Sequence, residues 1–75
     1  MGGELTPLEK ALNVVRFHYE QAGKTATMLA EEASKALRDG NHYEALRLTA
    51  LSWGYKVCRS VLWDVMMDIK AALSE

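Results

Sequence analysis

Ala36-Leu37-Arg38-Asp39-Gly40-Asn41-His42-Tyr43-Glu44 sits near the middle of a 75-residue chain and decides its fold. Arg38 is a basic residue placed where a helix ends, and Gly40 can adopt the left-handed backbone that closes a helix. Asn41 is a good N-cap and Glu44 follows it by three residues, the spacing that starts a new helix. One helix therefore stops here, and a second begins at once. A connection this short joins antiparallel neighbours, so the chain is expected to reverse at Gly40.

Upstream, Thr6-Pro7-Leu8-Glu9 combines a capping threonine, a proline at the first helical position and a glutamate three residues after the cap. Helix one is expected over 7–39, after a flexible start at 1–6. Leu8, Leu12, Val15, Tyr19, Ala22, Ala26, Leu29, Ala33 and Ala36 recur at gaps of four and three without losing phase. Gly23 lies within this seam and costs a helix roughly 1 kcal/mol relative to alanine. Because the phase is kept across Gly23, one long helix is expected, with a break at Gly23-Lys24-Thr25 as the alternative. Downstream of the turn at 40–41, helix two is expected over 42–73. Its seam reads Leu48, Leu51, Tyr55, Cys58, Leu62, Val65, Ile69 and Ala72. Folding the chain about Gly40 matches the two seams level by level, Ala26 with Tyr55, Ala22 with Cys58, Tyr19 with Leu62. The expected fold is all-α, a two-helix antiparallel hairpin.

A hairpin covers one stripe of each helix, and helix two has apolar residues left over. Leu46, Ala50, Trp53 and Val57 form a second stripe at helical spacing, and Trp63, Met66 and Met67 extend it. An exposed apolar patch with tryptophan near its centre is the usual form of a partner site. Leu46, Ala50, Trp53, Val57, Trp63 and Met67 are thus the candidate oligomer or partner interface. The simplest cover is a second copy, giving a four-helix-bundle homodimer. A groove for another protein is the alternative, and in overall form the hairpin resembles small secretion co-chaperones.

Composition narrows the chemistry. Nine Lys and Arg against ten Asp and Glu give a net charge of −1, so no global field draws the chain to a polyanion. The single cysteine, Cys58, excludes an internal disulfide and suits a reducing compartment, so a cytoplasmic protein is expected. Met1-Gly2-Gly3-Glu4 lacks the basic-then-apolar pattern of a leader, and no membrane span is expected. His18 and His42 lie on different helices without the companions a metal needs, and Cys58 occupies an expected core position. Glu31 and Glu32 splay around their helix, whereas Asp64 and Asp68 belong to an expected solvated face. Lys24-Thr25 lacks the rest of a phosphate loop. With no convergent polar constellation, an enzyme is not expected, nor a metal or cofactor.

One outward stripe carries a different message. Lys10, Asn13, Phe17, Gln21 and Lys24 run along the side of helix one away from its seam, with a phenylalanine among amides and lysines. Ala11-Leu12-Asn13, Arg16-Phe17 and Gln21 resemble the plasmid copy-number regulators of the Rop type. That resemblance implies a hairpin that dimerises into a four-helix bundle and binds paired RNA loops with its first-helix face. It also implies that Asn13, Phe17 and Gln21 contact RNA, Phe17 by stacking and the amides by hydrogen bonding. An RNA partner on this stripe is therefore the alternative to a purely protein-binding role.

Overall fold

A computed structural model describes residues 4–75, so the first three residues of the expected flexible start lie outside it. Two α-helices account for the fold: α1 spans Pro7–Arg38 and α2 spans His42–Ser74. The ends follow from local chemistry. The Thr6 hydroxyl accepts the Glu9 amide at 3.2 Å, and the Thr6 amide donates to Glu9 Oε1 at 2.9 Å. This reciprocal box satisfies two backbone donors at the start of α1. Those hydrogen bonds also hold the Glu9 carboxyl below the usual carboxylate range. At the other end, the Gly40 amide donates to Leu37 O at 3.1 Å and the Asn41 amide to Ala36 O at 2.9 Å. Gly40 has φ +80, the left-handed value this closure requires. The Asn41 side chain then accepts the Glu44 amide at 3.2 Å and opens α2.

α1 continues through Gly23 unbroken. The reason is visible across the interface, where an alanine Cβ at Gly23 would stand 3.3 Å from the Arg59 Nε. Arg59 lies across this glycine, sits 4.7 Å over the Tyr19 ring and donates to the Tyr19 hydroxyl at 2.9 Å. The absent side chain makes room for a cross-helix contact instead of breaking the helix.

The expected α1 seam faces α2. Ala22, Ala26 and Ala33 are buried, and Leu12, Val15, Tyr19, Leu29 and Ala36 are half-buried. The α2 seam differs from expectation. Leu48 is buried and Leu62 and Ile69 are half-buried as expected, but the other buried positions are Ala45, Ser52 and Met66. Leu51 is 42% exposed and Val65 38%, while Cys58 and Ala72 are also exposed. Cys58 is therefore not a core thiol against Ala22, and Met66 is not part of an outer patch. Tyr55, expected in the seam, is 41% exposed as well; the two seams share Leu48, Leu62 and Ile69 and differ by one residue at intervening positions. That amounts to a rotation of α2 of about 50° at 3.6 residues per turn.

Small residues decide the rotation. The buried alanines of α1 let the backbones approach closely, and Ala45 and Ser52 fit that gap where Leu51 would not. The Ser52 hydroxyl donates to Ala26 O at 2.8 Å, so its burial leaves no unpartnered donor. The expected level holds around Tyr19, which Arg59 and Trp63 flank, whereas Ala26, expected level with Tyr55, meets Ser52 instead.

Candidate interaction surfaces

Two helices make a slab with extents of 59 × 20 × 12 Å, one helix thick. It has two broad flanks where α1 and α2 are both accessible, and a back on each helix.

The first flank is aromatic and basic. Trp53 is 62% exposed, with Lys56 Nζ 4.9 Å from its ring centroid. Trp63 packs against Tyr19 with ring centroids 5.7 Å apart. Tyr19, Lys56, Arg59, Ser60 and Trp63 line a shallow groove of about 220 Å³ with no carboxylate on its walls. A second groove, about 270 Å³, runs beside Ala30, Leu37, Thr49 and Trp53. The sequence-derived interface falls partly here. Leu46, Ala50, Trp53, Val57 and Trp63 are exposed and Met67 is half-buried. Trp53 and Trp63 line the two grooves of this flank, and Val57 lines the groove of the other.

The second flank is apolar. Leu51, Gly54, Cys58, Val61 and Val65 follow one another along α2 at gaps of three and four, all exposed. His18, Val57, Cys58, Val61 and Leu62 line an open groove of about 430 Å³ without a charged residue. Periodicity missed this flank because it assigned Leu51, Cys58 and Val65 to the core. The available signal was residue size, since a seam facing three alanines favours Ala45 and Ser52.

The back of α1 presents the outward stripe as a unit. Lys10, Asn13, Phe17, Gln21 and Lys24 are all exposed, and the Phe17 ring meets His18 edge-on at 5.5 Å. Near the turn, the Arg47 guanidinium grips the Glu44 carboxylate through both oxygens and holds its pKa below the ordinary value.

Among the described residues, no three His, Cys, Asp or Glu side chains are grouped to hold a metal ion. No helix there is long and apolar enough to cross a membrane. No family model, curated protein or solved structure matches the chain.

Proposed function

We propose that this chain is a small non-catalytic interaction module that self-associates as a homodimer, completes a four-helix bundle and offers its remaining surface to a macromolecular partner. One observation carries the proposal. The chain exposes 5679 Å², whereas a compact monomer of 8.4 kDa is expected to expose about 4,600 Å². The excess of about 1,000 Å² is close to the roughly 800 Å² that one partner buries in a standard interface. Shape agrees with area. The radius of gyration is 17.1 Å against about 11 Å for a compact chain of this length, and two such slabs stacked flat give a nearly square cross-section.

Sedimentation equilibrium on the full chain tests the reading. A dimer at micromolar concentration, at twice the 8.4 kDa chain mass, is expected. A well-folded monomer at those concentrations overturns it, and a chain that folds only with a different protein points to an adaptor.

A second reading is an RNA-binding regulator using Lys10, Asn13, Phe17, Gln21 and Lys24. It is supported by the exposure of all five side chains, with Phe17 57% accessible between lysines. A salt-dependent gel shift of structured RNA that Phe17→Ala abolishes is expected on this reading. No shift at low salt removes it.

A further inference from the structure

We infer that the second copy seats on the apolar flank of α2, with α2 against the α2 of the partner in antiparallel fashion and Cys58 next to the two-fold axis. This rests on the self-association reading and says which surface does it and how the copies are arranged.

Charge selects the flank. Between Arg47 and Asp68, the series Leu51, Gly54, Cys58, Val61 and Val65 carries no charged side chain, and its groove has none either. The opposite flank carries Lys56 and Arg59 within its aromatic groove, and burying them without carboxylate partners would be strongly unfavourable. The two flanks of one helix are therefore fit for different tasks.

Symmetry selects the arrangement. Cys58 is the midpoint of α2, which spans His42–Ser74. A two-fold axis across the slab at that level brings Leu51 level with the partner's Val65 and Cys58 level with the partner's Cys58. Gly54, where an added Cβ would meet nothing within 4 Å, comes within one residue of the level of the partner's Val61, small against large. Arg47, already paired with Glu44, comes within one residue of the level of the partner's Asp68, so the cation that ends the apolar series at one end lies near a carboxylate at the other. A C2 interface must be self-complementary in this way. Turning the axis along the slab would instead lay the apolar series over α1. The same flank of α1 offers His18, Thr25 and Glu32 beside Val14, with Gln21 at its outer edge, a poorer match for an uncharged apolar surface.

The unmodified chain supplies its own reporter. Copper-phenanthroline with dioxygen should convert the two Cys58 thiols, with loss of two protons and two electrons to the oxidant, into one inter-chain disulfide. High yield with retained helical circular dichroism is expected. Val61→Glu, at a side chain exposed in the single hairpin, should raise the dimer dissociation constant at least about 100-fold. Trp53→Glu should leave it within about threefold, as an exposed position outside the interface. A dimer broken by Trp53→Glu and indifferent to Val61→Glu overturns the inference while self-association stands. A dimer that cross-links only as Gln21→Cys, through Cys58 to the new thiol, overturns the α2-on-α2 arrangement. An unmodified chain that stays monomeric sinks this inference and the self-association reading together.

Discussion

α1 and α2 are almost equal in length, at 32 and 33 residues, yet they make different demands on their surroundings. α1 is amphipathic. Its buried side chains gather on the stripe that α2 covers, and Lys10, Glu20, Lys24, Glu31 and Lys35 share the rest with exposed Val14, Phe17, Met28 and Leu37. α2 has apolar surface beyond its covered seam, with Leu46, Trp53, Val57, Val61 and Val65 exposed. One neighbour satisfies a helix with a single apolar stripe, whereas a helix with a second one has apolar surface left over. This difference between the helices is consistent with the proposed self-association.

The largest test of this contrast sets two leucines of α2 against each other. Leu48→Ala, at a side chain 6% exposed, should lower stability by about 2–3 kcal/mol at any protein concentration. Leu51→Ala, at 42% exposure, should cost less than about 1 kcal/mol in dilute solution and approach the Leu48 effect where the chain dimerises. Urea unfolding at two concentrations reads both. Equal and concentration-independent losses would mean that Leu51 is already covered within one chain.

Next comes the turn that joins the two helices. Gly40→Ala places a Cβ at φ +80 and should cost about 1–2 kcal/mol, measured by thermal melting. An unchanged melting temperature would show that the left-handed closure is dispensable.

Glycines sharpen the comparison between helices. Gly54→Ala meets no neighbour and should stabilise the isolated chain by up to about 1 kcal/mol while weakening dimerisation. Gly23→Ala has the same propensity gain, reduced because Arg59 must move off a 3.3 Å contact. A larger gain at position 23 than at 54 would reverse the assignment of which glycine is crowded.

The smallest effect is acid sensitivity at the two helix starts. Glu9 and Glu44 have folded pKa values below the ordinary carboxylate value, lowered by hydrogen bonds from Thr6 and from Arg47 respectively. Such groups add stability above the unfolded pKa near 4.5, and the contribution fades as pH falls through the folded value. Melting temperature followed from pH 6 to pH 3 should therefore drop slightly less in Glu44→Gln than in the unmodified chain. An identical slope would show that the α2 start does not respond to acid.

Much of this molecule is legible in its residues. Thr6, Pro7 and Glu9 announce one helix start, Gly40 and Asn41 announce the reversal, and the α1 seam is read correctly from periodicity from Leu12 to Ala36, with only Leu8 left exposed at the open end. α2 resists the same method for a physical reason. When Leu48 can pair with either Leu51 or Ser52 to make an unbroken heptad series, apolar spacing has two answers, and it selects the greasier one. The actual choice depends on how near the backbones come, which Ala22, Ala26 and Ala33 on the other helix determine. The aromatic groove is hidden for a related reason, because Arg59 reaches Tyr19 only after α2 has turned.

Because facing residues are ordered by distance from Gly40, the hairpin is built like a zip with its stop at the reversal. Rungs near Ala33 and Leu48 close short loops, while rungs near Leu12 and Ile69 close nearly the whole chain. Leu5, Leu8 and Leu73 at the open end are already 45%, 42% and 38% accessible. Fraying can therefore begin at the free tips and run inward while the tied end stays fastened, so amide exchange should grade steadily along both rods instead of dividing them.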